Sequence, residues 1–372
     1  MKYQLFYEDK KIKWKIKEKF MNATMSLEST KHYPVMLEQV LSIISPQHGG
    51  TFIDCTFGGG GYSQAILKFP ETKVLAIDRD QLTINFANTL KKKFPKRFNF
   101  FQDKFSNLSK IAKKDINAKA IIFDLGLSSF QLADKTRGFS FHSKSFLNME
   151  MGKNEYSAYE VINTLDKEHL ANIIKVLGEE KDAKIIANRI ERYRKKKRIK
   201  TSDELASIIY DAKKNYKNYK KNPATKTFQA IRIFVNKELT ELILGLIEAT
   251  KLLSKGGILI VISFHSLEDK IVKNFFKYYS SLNSNPSRYL PLKKKNVDLF
   301  ETYSKKPILP NTKEIKENIR SRSAKLRYAV RNNNSFIYPT EFTNKFLNYS
   351  KLEAGQIWLI KKDGFILFLK II

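Results

Sequence analysis

Three carboxylates and one glycine run carry the chemistry that this sequence shows first. Asp54 ends an apolar stretch and is followed, after Cys55-Thr56-Phe57, by Gly58-Gly59-Gly60-Gly61. Glycines between a strand and a helix let the backbone approach a ligand closely at the helix start. Asp78 ends the next apolar stretch, seventeen residues after Gly61. A carboxylate there meets the two ribose hydroxyls of a nucleotide-like cofactor, or else is a solvated strand-end acid beside Arg79. The third is Asp124, opening Asp124-Leu125-Gly126-Leu127-Ser128-Ser129. At the carboxyl end of a strand it could accept a hydrogen bond from an amine or hold a cofactor's amino group; the alternative is a turn or cap carboxylate. Ser128 and Ser129 read as turn and cap residues. The glycine loop and Asp78 do not by themselves separate a nicotinamide cofactor from S-adenosylmethionine.

The elements that must position these residues alternate. TFIDCTF, KVLAIDRD, FNFFQD and KAIIFDLG read as strands, with YSQAILKF, LTINFANTLKKKF and SNLSKIAKK as helices between them. This rhythm implies a parallel, doubly wound α/β sheet. It breaks near residue 137. From 137 to 237 only helix-like segments follow: EHLANIIKVLG, DAKIIANRIERYRKKK, SDELASIIYDAKKNY and TFQAIRIFVNKELTELI. The α/β pattern resumes with KELTELILGLIEATKLLSKGG, a helix with a Gly-Gly stop, and the strand GILIVISF; residues 286–331 read as basic and loop-rich. The expected order is a basic N-terminal extension (1–24), a first part of the α/β domain (25–136), a helical insertion (137–237), a second part with a basic segment (238–331) and a tail (332–372), in which a hairpin around Lys362-Asp363-Gly364 is expected.

The chain has 372 residues, 68 Lys+Arg against 37 Asp+Glu, and a formal net charge of +31. Such a surplus favours a polyanionic partner, although a Lys-rich proteome would give the same balance. With 42% hydrophobic residues the chain has material for a core, which excludes a wholly disordered basic tail. One cysteine excludes a disulfide framework and paired-thiolate zinc sites, and fits a reducing compartment. The few histidines are scattered, so no metal site is expected. No apolar run reaches the roughly 20 residues of a membrane span. Residues 1–24 read neither as a secretory signal nor as a transit peptide, so the expected location is cytoplasmic.

Longer motifs stand in order along the chain: HYPVMLEQVL (32–41), DCTFGGGGYSQAIL (54–67), AIDRD (76–80), FDLGLSSFQL (123–132), RGFSF (137–141), NPATKTFQAIRIFVNKEL (222–239), ISFHSLEDKIVKNFF (262–276) and RSRSAKLRYAVR (320–331). In these the sequence resembles the MraW (RsmH) methyltransferases over about residues 32–331. The resemblance implies a Rossmann-like, S-adenosylmethionine-dependent methyltransferase domain interrupted by an inserted all-helical domain. It implies methyl transfer to N4 of a cytidine in the decoding region of 16S rRNA, with the small ribosomal subunit as partner. By motif matching the cofactor residues would be Gly60, Gly61, Tyr62, Asp78, Phe105, Asp124 and Gln131. Asp124 is the candidate catalytic residue, holding an N4 hydrogen so that the lone pair faces the methyl group. Cys55 reads as core, since N4 chemistry needs no thiolate. His265 reads equally as a buried structural histidine or a proton carrier. Arg320, Arg322, Lys325 and Arg327 are the RNA-binding candidates; two further basic clusters, 192–200 and 213–226, read equally as solvated faces.

The sequence departs from the family pattern at Phe146-Leu147-Asn148-Met149-Glu150-Met151, where P-L-D-M-R-M is usual, and Tyr62 stands for a common His. The altered loop keeps open an alternative: a catalytically impaired RNA-binding or ribosome-assembly protein that retains the fold.

Overall fold

The computed structural model describes residues 34–112, 116–213, 222–280 and 298–355. The N-terminal extension, most of the 213–226 basic cluster and the anticipated tail hairpin lie outside the described residues. The chain forms two compact units: one holds the chain up to Gly126 together with Gly245–Pro339, the other Leu127–Leu244 together with the chain from Thr340.

The first unit is built on a seven-stranded sheet. Its strands are β1 (Gly50–Asp54), β2 (Thr72–Asp78), β3 (Phe98–Gln102), β4 (Ala118–Asp124), β5 (Leu253–Ser263), β6 (Phe300–Tyr303) and β7 (Lys325–Arg331), in the order β3-β2-β1-β4-β5-β7-β6. The strands β3, β2, β1, β4 and β5 run parallel; β7 is antiparallel to β5, and β6 to β7. Parallel strands are covered on both faces, so their interiors are continuous apolar runs rather than alternating ones. Val74–Ile77 in β2, Ala120–Phe123 in β4 and Leu259–Ile262 in β5 are buried throughout. Helix Leu37–Ile44 adds Leu37, Val40, Leu41 and Ile44 to the same core, one face of a 3.6-residue repeat. Chain order reverses between β1 and β4. An open sheet has its ligand crevice at the carboxyl ends of the strands flanking such a reversal, where Asp54 and Asp124 stand.

Four sequence expectations change here. SNLSKIAKK gives a 3₁₀ turn, Phe105–Asn107, and one helical turn, Leu108–Ile111. The stretch TFQAIRIFVNKELTELI is two helices, Thr225–Asn236 and Glu238–Leu252, because Lys237 takes a left-handed φ of 51°. The second of these ends before the glycines, and Leu253 already pairs with Ala118 in β5. The segment read as loop-rich contains β6 and β7. Buried Arg327 and Arg331 masked the apolar pattern of β7.

The second unit is helical, and several of its helices start at side-chain caps. Ser157 and Glu160 form a capping box for Ala158–Thr164, Asp166 caps Lys167–Leu177, and Thr201 with Glu204 caps Ser202–Ala212. Two arginines of the 192–200 cluster serve the fold: Arg194 Nη1 donates to the Ile162 carbonyl at 2.7 Å, and Arg198 Nη1 to that of Asn163 at 2.8 Å. The tail helix Thr340–Glu353 belongs to this unit. Its Glu353 is buried and accepts hydrogen bonds from the backbone N–H groups of Leu239 (3.0 Å) and Thr240 (2.8 Å) and from the Thr240 hydroxyl. It supplies from a distant part of the chain the acceptor that a helix start requires.

Glu353→Ala leaves those donors without a partner, a loss of about 1–3 kcal/mol for a buried group. Hydrogen exchange at the Leu239 and Thr240 amides is expected to accelerate in this variant, while amides of β1 and β4 keep their protection. Unchanged protection at Leu239 and Thr240 would show that Glu353 is not their anchor.

Candidate active site

The crevice begins where β1 ends. Asp54 is buried; its Oδ2 accepts from Ser63 Oγ at 2.7 Å and its Oδ1 from the Thr56 N–H at 3.3 Å. The chain then swings from one neighbour strand to the other. Cys55 N–H donates to the Ile122 carbonyl of β4 at 2.9 Å, and Phe57 N–H to the Ile77 carbonyl of β2 at 3.0 Å. Gly58 N–H donates to Asp78 Oδ2 at 2.8 Å, and Asp80 N–H to Asp78 Oδ1 at 2.9 Å. The strand-end carboxylate is thereby fixed by two backbone amides, one on each oxygen. Gly60 has φ +80°, and a Cβ there would stand 2.7 Å from the Phe57 ring, itself packed on Phe98 and Phe100. Only glycine fits that position.

Asp124 ends β4. Its backbone N–H donates to Thr56 Oγ1 at 2.7 Å. Its Oδ1 is buried and, among the described residues, has no hydrogen-bond partner. Tyr62 is buried beside it, and the Tyr62 hydroxyl donates to the Val35 carbonyl. Gly126 follows with φ +89°, the Phe264 ring 3.5 Å from where its Cβ would be. At the end of β5 the Phe264 N–H donates to Glu268 Oε2 at 2.8 Å, and His265 Nδ1 accepts from the Glu268 N–H at 3.5 Å. His265 is thus the cap of helix Ser266–Tyr278, the structural reading of that residue.

The crevice is acidic in a basic protein. Burial pushes the carboxyls of Asp54 and Asp78 up to about 6, against the hydrogen bonds that favour their ions. Burial, with Asp54 and Glu268 adding like charge, holds Asp124 well above the usual carboxylate range. A cationic or donor-rich ligand relieves both effects. Burial likewise keeps the Cys55 thiol protonated.

Of the residues proposed from sequence, Gly60, Gly61, Tyr62, Asp78 and Asp124 line up at the ends of β1, β2 and β4. Phe105 lies after β3, its ring edge-on to Phe123 at 5.2 Å, within the packing. Gln131 belongs to the other unit, where its Oε1 accepts from the Ser128 N–H at 2.9 Å in a capping box. The RNA candidates divide. Arg320 and Arg322 are exposed on the turn Ile319–Ser323. Lys325 Nζ lies 3.3 Å from Asp269, half-exposed. Arg327 is a correction: it is buried, with Nε donating to Asp269 Oδ1 at 2.7 Å and Nη1 to the Lys305 carbonyl at 3.0 Å, so its guanidinium does not face a polyanion. The unusual loop is internally satisfied. Asn148 Nδ2 donates to Glu150 Oε2 at 2.6 Å and the Glu150 N–H returns to Asn148 Oδ1 at 2.7 Å. Sequence reasoning missed Thr56 and Glu268 as parts of the site. The signal available was a hydroxyl two residues past a strand-end acid, and an acid three residues past His265.

Residues 29–332 match the model of the MraW methylase family. This chain belongs to that family. A ribosomal RNA small subunit methyltransferase H of Ehrlichia canis (strain Jake) is 46% identical over 299 residues, covering 80% of this chain and 98% of that protein. One of the same name from Sulfurihydrogenibium sp. (strain YO3AOP1) is 44% identical over 308 residues, 81% of this chain and 99% of that protein. Among solved structures, an rRNA methylase of Streptococcus thermophilus is similar with a TM-score of 0.32 at 11% identity, over 79% of this chain and 96% of that one. As a methylase of this family the chain uses S-adenosyl-L-methionine as its cofactor. The residues fit that molecule: Asp124 Oδ1 stands without a donor beside a crevice rich in carboxylate, and the cofactor brings a sulfonium, an ammonium and a ribose diol. The tail helix Thr340–Glu353 lies past the end of the family match.

Asp54 and Asp78 bind a proton more tightly in the folded chain than at their ordinary value of 3.8. The stability they contribute is complete below 3.8 and lost as pH rises through about 6. Urea midpoints of ligand-free protein measured across that window are expected to fall more steeply for the parent than for Asp54→Asn. Parallel slopes would show that burial does not hold the Asp54 proton.

Proposed function

We propose that this chain transfers a methyl group from S-adenosyl-L-methionine to N4 of a cytidine in the decoding region of 16S rRNA, acting on the small ribosomal subunit in the cytoplasm. The observation that carries this reading is the buried Asp124 carboxylate at the end of β4, whose Oδ1 has no hydrogen-bond partner among the described residues, facing a crevice whose other wall is the glycine loop. The names of the relatives support rRNA as the substrate class.

When bound, the cofactor supplies an electrophilic methyl carbon on a sulfonium, already a good leaving group. The protein's part is placement. The backbone at Gly60 and Gly61 permits close approach, because no side chain fits there. Asp78, fixed by the amides of Gly58 and Asp80, keeps lone pairs for the two ribose hydroxyls. Asp124 accepts a hydrogen from the target amine or from the cofactor's amino-acid end; Gln131 and Phe105 are assigned to the cofactor on the family resemblance alone. With the cofactor bound, the methyl group would pass from sulfur to the N4 lone pair, the C–S electron pair staying with sulfur, and the proton lost by N4 would go to the Asp124 carboxylate or to water. A carboxylate at Asp124 that binds the N4 hydrogen aligns that lone pair and stabilises the positive charge developing on nitrogen. Exposed Arg320 and Arg322, with Arg192, Lys195 and Lys196 on the helical unit, give phosphates sequence-independent contacts.

The test is transfer of labelled methyl to small-subunit particles lacking the modification, with nucleoside analysis. N4-methylcytidine is expected. Asp78→Ala is expected to raise the cofactor KM about ten- to a hundredfold, the loss of charge-assisted hydrogen bonds. Asp124→Ala is expected to lower kcat by about a hundredfold or more. Binding of cofactor and rRNA with no transfer would overturn the enzyme reading in favour of a binding protein that keeps the fold.

A further inference from the structure

We infer that Thr56 is a positioning residue for the reaction: its hydroxyl holds the Asp124 main chain and thereby sets where the Asp124 carboxylate stands. The inference rests on the role given above to Asp124.

At their carboxyl ends β1 and β4 pair with Asp54 beside Ile122, and the ladder continues one step further through Cys55 N–H to the Ile122 carbonyl at 2.9 Å. The next donor on β4 is the Asp124 N–H. No main-chain acceptor of the β1 side meets it, because by Phe57 the chain has turned to the Ile77 carbonyl of β2. Thr56 Oγ1 takes that N–H instead, at 2.7 Å. A side-chain oxygen therefore replaces the missing rung, and the crevice opens between β1 and β4 with no orphaned donor. The Thr56 N–H donates to Asp54 Oδ1 at 3.3 Å, so this one residue ties together both strand-end acids. The carboxylate of Asp124 has no equivalent anchor on Oδ1. Tyr62 stands beside that carboxylate, and the main chain that carries it is what Thr56 fixes. The task requires an oxygen on Cβ. Serine has one; valine has threonine's shape without it.

The experiment measures kcat and the cofactor KM for Thr56→Val, Thr56→Ser, Asp124→Asn and the double variant Thr56→Val/Asp124→Asn, with a thermal melt for each. Thr56→Val is expected to lower kcat about ten- to a hundredfold, the effect of a small misplacement of a reacting group. Thr56→Ser is expected to return the rate to near the parent's. In the Asp124→Asn background Thr56→Val is expected to cost nothing further, since the group it acts through is already lost. Thr56→Val with the parent's kcat, alongside an impaired Asp124→Asn, overturns the inference and leaves the proposed function standing. Full losses from both changes adding in the double variant also overturn it, because Thr56 then acts independently. A fully active Asp124→Asn removes the role of Asp124 and this inference with it. Should Thr56→Val fail to fold, Thr56→Ala takes its place with the same outcomes.

Discussion

A parallel strand that stops inside a protein leaves backbone donors and acceptors behind, and each must find a partner before a crevice can open beside it. Here β1 and β4 stop together at the point where chain order reverses. The main chain past Asp54 gives one amide to β4 and, two residues on, one to β2. Side chains serve the donors that remain: Thr56 the amide of Asp124, Asp78 those of Gly58 and Asp80, Glu268 that of Phe264. Against this background of served groups, Asp124 Oδ1 stands out because nothing described serves it. The placement of the glycines follows from the same constraint. Gly60 sits where the swing of the chain demands a left-handed residue pressed against Phe57.

Charge works on two scales. The surplus of +31 belongs to the whole chain, while the crevice itself gathers Asp54, Asp78, Asp124 and Glu268. The surplus also overstates the surface open to a polyanion. Arg97 donates to the carbonyls of Phe69 and Leu67, Arg331 to that of Leu299, and Arg194 to that of Ile162. Guanidinium suits this work, since its several donors satisfy the ends of elements in one stroke. Lys213, with Glu180 in a buried pair, is a further cation withdrawn from solvent.

The sheet and its strand-end acids were legible because their signals are local: an apolar run, a terminal acid, then glycine. Asp78 and Asp124 follow from that reading without reference to distant residues. What escaped depends on contacts remote in sequence. Arg327 reads as a phosphate contact until Asp269, 58 residues away, is seen to hold it. The break at Lys237 carries no proline or glycine to announce it, only a left-handed φ. Asn148 and Glu150 each look like a lost contact, and only their mutual hydrogen bonds show that the loop closes on itself. The unit boundaries at Gly126 and Gly245 lie outside the anticipated 137 and 237, because they follow spatial packing and not the change from strand to helix pattern.

Glu353 anchors Leu239 across 114 residues of chain, and β4 and β5 are likewise parted by the Leu127–Leu244 part of the helical unit. A polypeptide is made from its N-terminus, and its domains fold as they become complete. The start of helix Glu238–Leu252 therefore waits for its acceptor until Glu353 has been made, and β4 waits through the synthesis of Leu127–Leu244 for β5 to lie beside it. Neither unit reaches its final form until the segments that complete it, Gly245–Pro339 for the sheet and the helix Thr340–Glu353 for the helical unit, have been made.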